Sequence, residues 1–392
     1  MSELKIVDGG ICAVKGVKAW GTKEGGHGLA FIAGEGNAAA VFTKNKIKAA
    51  SVQVTREHIS SGKLSAIIVN SGNANAFTGT EGLENAKTMA KMAATALNID
   101  SASVAVASTG IIGHQLDMGE IQNQFKSIAG KLDASKEASE HAANSILTTD
   151  LSKKEISIEV GKIHIGAIAK GAGMIEPNMG TMLAFIYTDA VLPQETLKRC
   201  LKQSTDKSFN MVVVDGDTST NDMAILVATG ACGAVGEAEF QSGLDFICTE
   251  LAKMMAIDGE GATKLITAKV AGAKSDDDAK RAAKAIVRSN LVKCAVFGED
   301  PNWGRIIAAL GRSCAEIDPT KITLKIGDGE KEITFVEGGE AVLSASAEES
   351  KEIMAGKDVI IFLNLDIGTY EAVAWGCDLT YDYIKLNSNY LT

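Results

Sequence analysis

The sequence predicts a mixed α/β or α+β fold. Strand-length apolar runs, Gly/Asn/Thr-rich loops and helix-period segments follow one another along it, and such mixed order builds layers of helices and sheets. The run "SAIIVN" (residues 65–70) is strand-sized and ends in the polar turn "SGNANAFTG". The next segment carries apolar residues at Leu83, Ala86, Met89, Ala90, Ala93 and Leu97. That spacing repeats on one helical face, and Glu81 and Glu84 are expected in its first turn, where the helix dipole favours negative charge. "SVAVAST" (residues 103–109) is a second strand, ending at Thr109-Gly110.

Further along, Met182, Leu183, Ala184, Phe185, Ile186 and Tyr187 read as a buried strand. "MVVVDGDTSTND" (residues 211–222) reads as a strand running into a polar loop, and "VIIFLNLDIG" (residues 359–368) as a late strand. Residues 131–140 and 273–281 are polar. They fit either linkers or helices with a solvated charged face, and the helical reading is preferred. Functional groups are expected on the loops at strand ends.

The 392 residues allow two domains or one large one. At 46% hydrophobic and 22% charged, the chain has material for a sizeable core. Its 40 glycines against 4 prolines imply close backbone approaches rather than Pro-rich linkers. A net charge of −10 argues against nucleic acid or an anionic membrane as partner. The seven cysteines form no Cys-x-x-Cys pair and are odd in number, which fits reduced thiols better than a disulfide framework or a zinc site. The start "MSELKIVDGG" lacks a signal-peptide pattern, and no apolar run approaches the roughly 20 residues that span a bilayer. A cytoplasmic protein is expected.

Several common motifs are missing: the P-loop, Gly-x-Gly-x-x-Gly, the Gly-x-Ser-x-Gly elbow and His-Glu-x-x-His. "DGDTSTND" begins with calcium-loop spacing at Asp215, Asp217, Ser219 and Asn221. It then has Thr220 where glycine is needed and Leu226 where glutamate is needed, so a structural polar loop is the better reading. None of the five histidines sits in a metal-ligand spacing, and no local context supports a histidine-based triad.

The segment "KGAGMIEPNMGTMLA" (residues 170–184) offers a different base. A threonine hydroxyl can use its own α-amino group as base when the threonine begins a chain. The reference pKa of that amine is about 8, so a useful fraction is neutral near pH 7. An internal threonine reaches that state if its hydroxyl attacks the preceding carbonyl and the resulting ester is hydrolysed. A small residue before it helps, and glycine relaxes the allowed backbone angles. Gly180-Thr181 meets that condition; read on spacing alone, a turn that opens a strand is the better reading.

The same segment resembles the signature of the ornithine acetyltransferase family, the bifunctional glutamate N-acetyltransferase/amino-acid acetyltransferases. "VNSGNANAFTG", "ASTGIIG", "LTTD", "FNMVVVDGDTSTND", "DGEGATKLI", "GEDPNWGRI" and "GCDLTYDYIKLNSNYLT" also resemble family segments, in family order, over nearly the whole chain. The chain departs from the pattern at Ala172, where the family often has serine, and at Gly180, where it usually has alanine. "TTDLSKKE" lacks a proline that often follows Thr-Thr-Asp.

The resemblance implies a layered αββα sandwich akin to the self-processing aminopeptidases. It implies cleavage between Gly180 and Thr181 into an α chain, residues 1–180, and a β chain, residues 181–392. It implies acetyl transfer from N-acetylornithine to glutamate through an acetyl-threonine ester in arginine biosynthesis. Thr181 is then nucleophile and α-amine base, Thr109 and Gly110 form the oxyanion hole, and Thr149, Lys170, Thr181, Glu260, Asn387 and Thr392 bind substrate. Thr148 is a near-equal candidate to Thr149. No metal or cofactor is implied, with acetyl-CoA an admissible co-substrate, and an α2β2 assembly is expected. Trp303 and Arg305 are read as structural. Asp215 and Asp217 are candidates to order the floor of the site. Glu260 could hold an amine, or cap a helix beginning near Ala262. Two other readings use the same residues: a self-processing amidohydrolase, and a non-enzymatic protein that binds acetylated amino acids.

Overall fold

In a computed structural model, residues 4–176, 182–342 and 347–389 are described. Gly180, Thr181 and Thr392 lie outside them. The first half of the chain runs β1 (Leu4–Val7), β2 (Lys18–Glu24), β3 (His27–Phe42), α1 (Ala50–His58), β4 (Lys63–Asn73), α2 (Gly79–Leu97), β5 (Val104–Ile111), α3 (Met118–Ile128), α4 (Lys136–Ser145), β6 (Lys154–Val160) and β7 (Ile163–Lys170). Then follow β8 (Leu183–Val191), α5 (Gln194–Lys207), β9 (Val212–Val213), β10 (Met223–Ala234), α6 (Glu237–Ile257), β11 (Leu265–Ala273), α7 (Asp276–Val287), α8 (Asn290–Phe297) and α9 (Trp303–Gly311). The chain closes with β12 (Thr323–Gly327), β13 (Glu332–Glu337), β14 (Glu340–Ala341), α10 (Ala347–Ala355), β15 (Asp358–Asn364), β16 (Tyr370–Cys377) and α11 (Tyr381–Asn389). This is a mixed α/β fold with two sheets. Among the described residues, no helix is long and apolar enough to cross a membrane.

The chain divides into two compact units. The first takes the described residues of Met1–Asn210 and Asp217–Leu251. Among them its sheet has nine strands in the order β1-β6-β7-β8-β10-β3-β4-β5, with β2 paired to β3. Period-2 alternation sends successive side chains of one strand into different clusters. Ile67 and Val69 of β4 join Ala105 and Ala107 of β5 with Ala138 and Ala142 of α4. Ala66 and Ile68 join Val104 and Val106 with the α2 face and with Ile121 and Phe125 of α3.

The expected α2 face is real. Ala86, Met89, Ala90 and Ala93 are buried, while Leu83 and Leu97 pack at its margin. One detail differs: Glu81 lies in the first turn, but Glu84 does not and instead pairs with Lys87 across one turn at 3.0 Å.

β8 is the strand expected after Thr181, and it lies inside the sheet. It pairs antiparallel with β7 (Lys170↔Leu183 to Ile165↔Thr188) and parallel with β10 (Met223↔Leu183 onward). Only its last residue, Val191, is exposed. A strand covered on both faces reads as a continuous apolar run rather than an alternating one, which is how "LAFIY" reads. Each fully buried side chain such as Phe185 or Ile186 contributes roughly 1.5–3 kcal/mol.

The second unit takes Met211–Gly216 and the described residues of Ala252–Tyr390. Among them its sheet has the order β14-β13-β12-β15-β11-β16-β9. β11 pairs parallel with β15 and antiparallel with β16.

The strand expected at the start of residues 211–222 is only Val212–Val213. A 3-10 turn at Phe209–Met211 precedes it, and it pairs with β16 at Trp375↔Val212 and Gly376↔Val213. Both polar segments weighed as linkers carry helices. Ser135 caps α4 through the Ala138 N–H, and Ser275 caps α7 through the Asp278 N–H. Such a serine satisfies one of the donors that a helix start leaves open.

Candidate active site

Two parallel strands of the first unit, β4 and β5, end side by side, with Ser71 opposite Thr109 and Gly72 opposite Gly110. Gly110 has φ +131°, and a Cβ there would lie 2.3 Å from the Gly72 carbonyl carbon. Only glycine lets the two backbones approach so closely in that conformation. β7 ends at Lys170, whose side chain turns back into this region. Its Nζ donates to Thr148 Oγ1 at 2.7 Å and to Thr109 Oγ1 at 3.2 Å. Because the ammonium donates, the Thr109 oxygen accepts, and the hydroxyl hydrogen is left as a donor to a further acceptor.

The lysine is held by a carboxylate that the sequence reading quoted in "LTTD" but gave no role. Asp150 Oδ2 lies 3.8 Å from Lys170 Nζ, and Oδ1 lies 2.7 Å from Lys154 Nζ. The Gly171 N–H donates to Oδ1 at 2.6 Å and the Thr148 N–H to Oδ2 at 3.1 Å. The Asp150 side chain is 0% exposed, that of Lys154 1% and that of Lys170 9%. Burial opposes the charged carboxylate. Lys170, Lys154 and the Gly171 N–H outweigh it and hold the Asp150 carboxyl well below the usual carboxylate range. Lys170 thus brings a buried ammonium up to the Thr109 hydroxyl. Its field stabilises a developing oxyanion.

The loop at residues 217–222 braces the same strands. Asn221 Nδ2 donates to Ser108 O at 2.7 Å and to Ala74 O at 2.6 Å, fixing the residue before Thr109. Thr218, Ser219, Thr220 and Asp222 offer their carbonyls to Asn45, Thr43 Oγ1, Ala49 and Thr43 N at 2.8–3.0 Å. Those carbonyls accept from the chain, in keeping with a structural loop. Among the described residues, no three His, Cys, Asp or Glu side chains are placed to hold a metal ion.

The second unit brings two more of the expected residues together. Asn387 Nδ2 of α11 donates to Glu260 Oε2 at 2.8 Å and to Tyr383 O at 3.1 Å. Glu260 is buried in the turn between α6 and β11, so it caps no helix near Ala262. The turn is tight because Gly261 has φ +69° and a Cβ there would meet the Tyr383 N at 2.4 Å. Thr380 Oγ1 closes it by donating to Gly261 O at 2.6 Å.

Thr149 is half-buried beside Thr148. Trp303 opens α9, where Asn302 caps the Arg305 N–H and Arg305 Nη1 donates to Leu291 O at 2.9 Å. Both residues are thus built into the second unit's helices. Asp215 belongs to the second unit and Asp217 to the first.

A family model described as the ArgJ family matches residues 13–392. The chain belongs to the ArgJ family. A Methanosarcina mazei protein named glutamate N-acetyltransferase is 51% identical over 395 residues, covering 99% of this chain and 100% of that one. A Clostridium acetobutylicum protein named arginine biosynthesis bifunctional protein ArgJ 1 is 48% identical over 367 residues, covering 90% and 88%. A solved chain, the arginine biosynthesis bifunctional protein ArgJ from Bacillus halodurans, superposes with TM-score 0.51 at 43% identity. It is covered over 100% of its own length by 54% of this chain. Among ArgJ relatives this chain is therefore a near full-length match in sequence, and its match to the solved chain spans about half of it.

Proposed function

We propose that this chain transfers the acetyl group of N2-acetylornithine to glutamate, giving ornithine and N-acetylglutamate. The observation that carries the proposal is the 51% identity, over essentially the whole chain, to a glutamate N-acetyltransferase. The cluster of buried Lys170 with half-buried Thr148, Thr109 and Gly110 is consistent with it.

In the proposed reaction the Thr181 hydroxyl attacks the acetyl carbonyl and its α-amine takes the proton. The oxyanion is met by the Thr109 hydroxyl and the Gly110 N–H. The α-amine returns the proton to the leaving amine, and ornithine departs from the acetyl-threonine ester. Glutamate then takes the acetyl group by the reverse steps. Lys170, Thr149, Glu260, Asn387 and Thr392 bind the two amino acids. The carboxylate of Glu260 suits an ammonium, and Lys170 suits a carboxylate.

Freeing the amine requires cleavage between Gly180 and Thr181, leaving residues 1–180 and 181–392 as α and β chains of an α2β2 assembly with the family's layered αββα sandwich. One fact supports a division there. Residues 181–392 are 212 of 392, or 54% of the chain, the same share that matches the whole of the solved B. halodurans chain. No cofactor or metal is needed, acetyl-CoA is a candidate second donor, and the cytoplasm is the proposed compartment.

The test is an intact-mass spectrum of the purified protein beside Thr181→Ala, followed by a transfer assay with N-acetylornithine and glutamate. Two fragments meeting at Gly180/Thr181, an uncut variant and N-acetylglutamate as product are expected. A single active species near 40.9 kDa would sink the free-amine mechanism. Acetate as product instead of N-acetylglutamate would replace transfer with hydrolysis.

A further inference from the structure

The second unit buries a lysine that the proposed mechanism does not use. Lys293 lies in α8 and is 2% exposed. Its Nζ donates to Cys377 O at 2.6 Å and lies 3.7 Å from Cys377 Sγ; among the described residues it forms no ion pair. Burial holds that thiol above its ordinary range in spite of the lysine, so no thiolate balances the charge. A buried ammonium without a counter-charge is costly, and an apolar side chain would fill the same space at less cost. What the ammonium holds in place therefore calls for an explanation.

Cys377 is the last residue of β16 and pairs with Leu265, the first of β11. The turn that carries Glu260 lies just before β11 and rests on the same cysteine: a Cβ at Gly259 would lie 2.8 Å from Cys377 Sγ. Beyond Cys377 the chain stays fastened to that turn. Asp378 Oδ1 accepts from Thr263 N at 2.8 Å and from Lys264 N at 3.0 Å. Leu379 N donates to Lys293 O at 3.4 Å. Thr380 Oγ1, which donates to Gly261 O, accepts from Tyr383 N at 3.2 Å near the start of α11. Asn387 follows one helical turn later, its Nδ2 shared between Tyr383 O and Glu260. Both partners of the Glu260–Asn387 bond are thus set by the segment that begins at Cys377. We infer that Lys293 is a positioning residue for that pair: its ammonium fixes the Cys377 carbonyl, and Cys377 seats the Glu260 turn and starts the segment that leads into α11. The inference rests on the proposed role of the pair in binding substrate.

The experiment measures acetyl transfer from N-acetylornithine to glutamate by full-length wild type, Lys293→Met, Asn387→Ala and the double variant. Methionine keeps the apolar stem and has no donor. A wild type without transfer removes the proposed function first, without reference to Lys293. An active wild type beside Asn387→Ala with unchanged KM values removes the substrate role of the pair, and this inference with it. Where Asn387→Ala raises a KM, Lys293→Met should raise the same KM by about tenfold or less, with kcat kept. In the Asn387→Ala background it should add little, because the contact it positions is already gone. KM effects that multiply in the double variant overturn the inference. So does a fall in kcat or melting temperature with KM unchanged, which makes Lys293 structural only. Should Lys293→Met not fold, Cys377→Ala takes its place in the same cycle, since it keeps the carbonyl that Lys293 holds and removes the Sγ against Gly259. The same non-additive rise in KM is then expected, and an unchanged KM or a multiplying one overturns the inference.

Discussion

The two units present their functional side chains in different ways. In the first, Lys170, Lys154 and Asp150 form a charged group almost sealed from water, and neutral Thr109 and Thr148 are oriented by it. In the second, Glu260 and Asn387 meet through one 2.8 Å hydrogen bond between a tight turn and the last described helix. The first arrangement is costly to assemble and rigid once made, which suits stabilising charge that exists only in a transition state. The second suits recognition of a group already present in the ground state. Removing a residue from the first should therefore cost stability or kcat, and removing one from the second should cost KM.

The sharpest break is Asp150→Ala, which leaves two buried lysines without their shared counter-charge. A loss of about 3–5 kcal/mol is expected from urea denaturation. The pH dependence has a fixed sign. The folded carboxyl titrates below its unfolded value of about 3.9, so its contribution is complete above that pH and is lost as pH falls through the folded value. Wild type should lose stability below about pH 4 more steeply than Asp150→Asn, and parallel curves would remove the ion pair from the account.

Next is Thr109→Val, which keeps the shape of the side chain and removes the donor. A fall in kcat of roughly 100-fold or more, about 3 kcal/mol, is expected with KM little changed. A mainly raised KM would move Thr109 from oxyanion stabilisation to binding. Gly110→Ala tests the adjoining backbone: the Cβ contact at 2.3 Å forces β4 and β5 apart, so kcat falls and melting drops together. The smallest effect is expected in the second unit. Asn387→Ala should raise KM by about tenfold or less, roughly 1 kcal/mol, with kcat and melting unchanged. A large fall in kcat there would erase the distinction between the two regions.

What the sequence made legible follows the range of the interactions. β4, β5 and β8 showed as apolar runs, and α2 as a periodic face, because those patterns are local. The ends were less legible. Residues 211–222 looked like a longer strand because three valines in a row favour β structure, but only Val212 and Val213 find partners on β16. Glu260 admitted a helix-cap reading beside that of an amine contact because nothing local revealed that Gly261 turns the chain against the Tyr383 backbone. Lys170 and Thr109 were singled out through resemblance to known segments, yet their contact joins positions 61 residues apart. Asp150 was overlooked as the partner of Lys170, and Asn221 as the brace of Ser108 across 113 residues, since no periodicity encodes such pairs.

The place of β8 also bears on reaction order. If the chain is cut before Thr181, every β7–β8 hydrogen bond joins two molecules rather than two parts of one. Folding of the precursor is then unimolecular, but renaturation of the processed enzyme is bimolecular. Recovery of activity from denaturant should slow in proportion as the protein is diluted, whereas uncut Thr181→Ala should regain its fold at a rate independent of concentration.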